Sequence, residues 1–239
     1  LSGEAWGDEN DPPVLLLHGG GQTRFAWGGT ARALAEAGWY AVSLDLRGHG
    51  DSEWAPEGNY EIAAFAEDAV LVARTFRRKP VVVGASLGGI ASLVAQAESS
   101  EPPFAAIVLV DIAPRMEPEG VQRIIAFMGN QLEHGFASLE EAADAIAAYM
   151  PHRPRPKDLS GLRKNLRQGP DGRYRWHWDP RFVLGKRLPA ASQDPDRLVR
   201  ASRSLAVPTM LVRGRMSDIC SEEAAREFLE LVPHAEYVD

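Results

Sequence analysis

Residues 80–90, "PVVVGASLGGI", constrain the fold of this chain more tightly than any other stretch. A β-branched run of strand length meets Ser86 between Gly84 and Gly88, and an apolar segment of helical spacing follows at once. A strand that turns sharply into a helix forces its corner residue to φ > 0. The chain can pass only if the residues two before and two after are small. Gly84 and Gly88 hold those places, and Gly89 adds room. Such a corner pushes the Ser86 hydroxyl out at the carboxyl end of the strand, above the N-terminus of the following helix, where open parallel sheets bind ligands. The plainer alternative is a serine in a glycine-rich turn.

The rest of the chain supplies a setting for that corner. "VLLLHGGG" (14–21) is a short apolar run ending in glycines, and "WYAVSLD" (39–45) is a strand closed by the turn-rich "RGHGDS". Ile62, Phe65, Ala69, Val72 and Phe76 mark one helix face. "AAIVLVD" (105–111) and "TMLVRG" (209–214) are further strands. Strands this apolar, alternating with helices, predict an α/β protein with a mostly parallel sheet covered on both faces. From 113 to 204 the rhythm changes to helical segments near 121–132 and 139–149, then "PHRPRP" and the aromatic "RYRWHWDPRF". Three parts are therefore expected: core over 1–112, an inserted helical cap over 113–204, and core again over 205–239.

The bulk numbers narrow the function classes. The formal charge is −7 and no basic run carries interleaved aromatics, which argues against nucleic-acid binding. Apolar runs reach strand length only, so no membrane segment is expected. A single cysteine, Cys220, excludes an internal disulfide framework and a cysteine-rich metal site, and suits a reducing, cytoplasmic setting. The chain opens at Leu1 and stops at "AEYVD", both within expected strands. A segment of a longer protein is expected, and a leader sequence stays open.

A serine nucleophile needs donors for the oxyanion it creates. The N–H of Leu87 is one, and the glycine loop "HGGG" (18–21) supplies the other, Gly20 before Gly21. His18 reads as a structural histidine fixing that loop. "HGGGQTRFAW", "LDLRGHGDS", "GASLGG" and "LVRGRMSD" together resemble the α/β-hydrolase superfamily in order and spacing, closest to its cap-bearing bacterial branch of esterases, cofactor-free haloperoxidases and epoxide-hydrolase relatives.

The resemblance implies a triad in the order serine, acid, histidine. The acid should follow the strand after the cap, which gives Asp218; Asp111 competes. Of the six histidines (His18, His49, His134, His152, His177 and His234), none follows the last strand. By resemblance the base lies roughly five to fifteen residues beyond Asp239, and the chain as it stands should be nearly inactive. By the same resemblance the last strand is expected to be incomplete and the family's first strand to be missing.

The expected function is a serine hydrolase of carboxylic esters or related acyl compounds, acting on a small-molecule acyl substrate without metal or organic cofactor. Perhydrolysis, lactone opening and C–C cleavage use the same triad and stay open, as does a non-catalytic ligand-binding relative. Trp27, Trp176 and Trp178, with Phe25, Phe127 and Met128, are candidates to line an acyl pocket or to serve as cap core. Oligomeric state is not legible.

Overall fold

A computed structural model of the chain describes residues 1–152, 154–185, 194 and 196–239. The part of the expected cap at 186–193 therefore lies outside the described residues.

The fully buried run Pro13–Leu17 (β2) is an interior strand of a seven-stranded sheet with Gly3–Trp6 (β1), Tyr40–Leu44 (β3), Val81–Ala85 (β4), Ala106–Val110 (β5), Thr209–Val212 (β8) and Glu236–Val238 (β9). The strand order is β1-β3-β2-β4-β5-β8-β9. All neighbours run parallel except the edge pair of β1 and β3. This is the α/β arrangement that the short apolar strands imply, and it includes both terminal segments as edge strands.

Helices cover both faces. Gly28–Glu36 (α1) closes a small cluster of Val14, Leu16, Ala31 and Ala41 on one side. Ile62–Ala73 (α2), Leu87–Glu98 (α3), Arg197–Arg203 (α7) and Glu222–Leu231 (α8) pack the larger cluster on the other, where Leu15, Leu17, Phe65, Ile107, Leu109, Leu211 and Phe228 are buried. Side-chain alternation along β2 explains the division: Val14 and Leu16 face α1, while Leu15 and Leu17 face α2 and α3. Ser221 caps α8 by accepting the Ala224 N–H at 3.1 Å.

Between β5 and β8 lies the inserted segment. It carries Pro118–Gly129 (α4), Leu139–Tyr149 (α5), a 3-10 turn at Ser160–Lys164, and the short helix Arg181–Leu184 (α6). It is not wholly helical, because Leu166–Gln168 (β6) and Tyr174–Trp176 (β7) pair as an antiparallel hairpin. Three-residue strands leave too little alternation to read from sequence. α7 packs against α3 in the core. Among the described residues, no helix is long and apolar enough to cross a membrane.

Candidate active site

Register places the carboxyl ends of four core strands side by side. Leu17 pairs with Gly84, Ala85 with Val110, and Val110 with Val212. The next residues on each strand therefore converge: the loop at His18 and Gly19, then Ser86, Asp111 and the loop from Arg213. Ser86 has φ 45° and ψ −113°, a region that L residues rarely occupy. Its N–H donates to the Val110 carbonyl at 3.2 Å, and its own carbonyl accepts from Ile90 at 2.9 Å, which starts α3.

The glycines around this corner are there for space. A Cβ on Gly84 would lie 2.6 Å from the backbone of Gly88 and Gly89, and one on Gly88 would lie 2.7 Å from the carbonyl carbon of Leu17. Backbone cannot move aside as a side-chain tip can. Gly88→Ala is expected to destabilise the fold by about 3 kcal/mol or more, lowering Tm by roughly 6–12 °C in a thermal melt.

Two N–H groups at the corner have no partner among the described residues: those of Leu87 and Gly20. The neighbours of Gly20 are committed. Gly19 N–H donates to Gln22 Oε1 at 3.0 Å, Gly21 N–H to His49 Nε2 at 3.1 Å, and Gly88 N–H to the His18 carbonyl at 3.2 Å. A Cβ built on Gly19 would sit 3.4 Å from Ser86 Cβ, so the loop lies directly beside the serine. Gln22 and His49 are supports that sequence reading did not single out; a glutamine just past a glycine loop carries no pattern of its own.

The two carboxylates differ in their surroundings. Asp111 has φ 56° and is held by the loop after β8, with Gly214 N–H donating to Oδ1 at 3.0 Å and Ser217 Oγ to Oδ2 at 2.9 Å. The Asp218 side chain is 53% exposed and pairs with Arg123 of α4 at 3.1 Å. Ser217 Oγ also accepts the N–H of Cys220 at 3.0 Å, so the stretch that carries Asp218 folds around Asp111. Burial pushes the Cys220 thiol up to about 11, which leaves it un-ionised at neutral pH.

Each histidine has its own setting. His18 and His49 are fully buried, and loss of hydration lowers them to about 4 and about 3; the nearby His18 ring adds to the effect on His49. His234 donates from Nε2 to the Val207 carbonyl at 3.0 Å, at the opposite end of β8. His134 and His152 are exposed on the insertion. His177 lies 3.8 Å from the Asp51 carboxylate, and burial lowers its pKa.

These shifts have a sign in stability. Unfolded, His18 and His49 bind protons with a pKa near 6.5; folded, they do so only near 4 and 3. Between those values the unfolded chain takes up more protons, so their contribution is complete above pH 6.5 and is lost as pH falls. The lowered Asp51 and Asp179 act only below 3.8. Tm is expected to fall between pH 6.5 and 5; a flat Tm over that range would show that the rings are not held neutral.

The aromatic candidates divide. Trp176 stacks on Trp178 at 4.9 Å and 11°, and Phe127 meets Trp176 edge-on at 5.7 Å. Trp178 and Met128 lie over Gly21, and Phe182 lies over Gly20, as a Cβ at either glycine would reach them at 3.0–3.3 Å. The insertion thus sets an apolar collar against the glycine loop. Trp27 is not part of it: its ring packs with Trp6, Leu34 and Trp39 on the cluster under α1, the opposite face of the sheet. The Trp27, Trp176 and Trp178 indole N–H groups are all buried without a partner among the described residues.

The turn after β3 ties collar to core. Asp45 is fully buried and accepts the Arg24 N–H at 2.7 Å and the Asp51 N–H at 2.9 Å. The Gly50 N–H donates to the His177 carbonyl at 2.7 Å, and the Asp179 N–H to the Gly48 carbonyl at 2.8 Å. Burial alone would raise the Asp179 pKa, yet bonds from Arg181 and Tyr60 hold it below the usual carboxylate range. Among the described residues, no group of three or more His, Cys, Asp or Glu is placed to hold a metal ion.

The chain thus sets a strained serine on a strand-to-helix corner, beside a glycine loop whose Gly20 N–H has no partner among the described residues. Residues 12–239 match the family described as alpha/beta hydrolase fold, and the chain belongs to it. It is 29% identical to a 3-hydroxybutyrate-oligomer hydrolase of Cupriavidus necator, over 98% of this chain and 83% of that protein. It is 30% identical to an esterase of Mycobacterium tuberculosis, over 98% of this chain and 76% of that one. Among solved structures, an alpha/beta hydrolase from Novosphingobium aromaticivorans superposes with a TM-score of 0.82 at 28% identity, covering 99% of this chain and 84% of that one.

Proposed function

We propose that this protein is a serine hydrolase of carboxylic esters or related acyl compounds. The observation that carries the reading is Ser86 at φ 45° with two N–H groups at its corner, Leu87 and Gly20, that have no partner among the described residues. Ser86 Oγ attacks the acyl carbon as a histidine takes its proton, and the resulting oxyanion accepts hydrogen bonds from those two groups. The imidazolium then protonates the departing alcohol oxygen as the ester C–O bond breaks. A water, deprotonated by the same histidine, releases the acid and frees Ser86. Asp218 is proposed to hold the tautomer of that histidine and stabilise its cation.

The histidine itself is proposed to lie beyond Asp239. The commitments of His18, His49 and His234, and the placement of His134, His152 and His177 on the insertion, support this. A specific observation favours a second acid, Asp111: it stands one residue past the register pair that neighbours Ser86, at positive φ, with two donors fixing its carboxylate.

Trp176 and Trp178 are proposed to border the acyl pocket, where their N–H groups, without a partner among the described residues, would find polar oxygens of the substrate. The naming of relatives as a hydroxybutyrate-oligomer hydrolase and an esterase supports esters of this kind. The test uses the full-length natural protein with p-nitrophenyl acetate and butyrate, and a fluorophosphonate probe read by peptide mass. Hydrolysis and a single adduct on the Ser86 peptide are expected. Neither ester release nor labelling would leave a ligand-binding member of the family.

A further inference from the structure

His18 and His49 lie outside the proposed triad, yet their four ring nitrogens are all in use around the glycine loop. His18 Nδ1–H donates to the Gly19 carbonyl at 2.8 Å, and its Nε2 accepts the Leu46 N–H at 3.0 Å. His49 Nδ1–H donates to the Arg47 carbonyl at 3.0 Å, and its Nε2 accepts the Gly21 N–H at 3.1 Å. The rings meet edge to face at 5.1 Å, and His49 meets Phe182 in the same way at 4.8 Å.

The consequence is a matter of peptide geometry. In a trans peptide the C=O and N–H point opposite ways. His18 and the Gln22 N–H (3.1 Å) both hold the Gly19 carbonyl, so the Gly20 N–H of that same peptide is turned away from them. The next peptide is held through its other end, because the Gly21 N–H is taken by His49. Gly21 has φ +76°, and a loop of glycines has little of its own to stop that peptide from rotating.

We propose that His49, acting with His18, is a positioning residue of the oxyanion loop: it takes up the Gly21 N–H and so presents the Gly20 N–H alone beside Ser86. This rests on the serine-hydrolase reading. Both rings must be neutral, since an imidazolium has no lone pair to accept with. The contact of His49 with Phe182, which itself lies over Gly20, carries the position of the collar to the same two peptides.

The hydrogen bond is testable without turnover. In 15N-labelled protein, a 15N–15N coupling between Gly21 N and His49 Nε2 is expected, with His49 as the Nδ1–H tautomer. Absence of that coupling, or the other tautomer, overturns the inference whether or not the protein cleaves esters. Kinetics in the full-length natural protein separate positioning from packing. His49→Phe keeps the ring but loses the acceptor, and kcat on p-nitrophenyl butyrate should fall about 10- to 100-fold with KM within about twofold. His49→Gln restores an acceptor and should recover most of the loss. Equal losses in the two variants, or a loss confined to KM, would overturn it. Turnover that survives Ser86→Ala would instead overturn the hydrolase reading alone.

Discussion

Ser86→Ala in the full-length natural protein is expected to lower kcat on a simple ester by about ten thousand- to a million-fold, with little change in KM or in Tm. The size follows from the way the parts act as a unit. Without the hydroxyl no acyl-enzyme forms, and the histidine and acid have nothing to activate. What remains is the binding site and the free N–H groups of Leu87 and Gly20, which still favour an oxyanion formed by attack of water. Tm should hold or rise slightly, because alanine keeps the corner backbone and exposes no new buried surface. A residual rate within a hundredfold of the parent would mean that another group attacks, and Ser86 would then be only a turn residue.

The second large effect distinguishes the acids. Asp218→Asn is expected to lower kcat by about three to four orders of magnitude, because an amide can leave the histidine in the wrong tautomer and gives its cation no counter-charge. Its effect on stability should be small. The carboxylate is half exposed, and its pair with Arg123 is of the kind worth about 1 kcal/mol or less. Asp111→Asn should do the reverse. It disturbs the bonds from Gly214 and Ser217, costs about 1–3 kcal/mol of stability, and leaves kcat within about tenfold. If Asp111→Asn removes the activity while Asp218→Asn spares it, the role of the acid passes to Asp111. Steady-state kinetics beside thermal melts on both variants decide the matter.

The core of the fold could be read from the chain because its signals are local. The strand at 81–85, the glycines at 84, 88 and 89 and the apolar helix after them all lie within a dozen residues, and each restricts its neighbours sterically. The Gly84 and Gly88 requirements are contacts with backbone that the corner itself brings close. The helix face marked by Ile62, Phe65, Ala69 and Val72 followed from spacing, although the helix ends at Ala73, before Phe76. The hairpin at 166–176 did not, since three-residue strands held by a partner strand leave no periodic trace.

The site was legible as residue types and not as partners. Sequence order set Ser86 beside a glycine loop, and it named Gly20 over Gly21. The reason Gly21 is committed is a histidine 28 residues away, inside a turn that reads only as a turn. Trp27 and Trp178 look alike as aromatic candidates, yet one packs on the cluster of Val14, Leu16, Ala31 and Ala41 while the other lies over the glycine loop, stacked on Trp176. Asp111 and Asp218 both follow core strands, and nothing local says which is clasped by two donors and which reaches Arg123 on the insertion. By itself the sequence determined the corner, the parallel sheet and the serine set at that corner, because steric limits and hydrophobic period act between near neighbours. Only the tertiary structure decided which N–H stays free, which rings meet the loop and how each carboxylate is held, because those depend on groups brought together from distant parts of the chain.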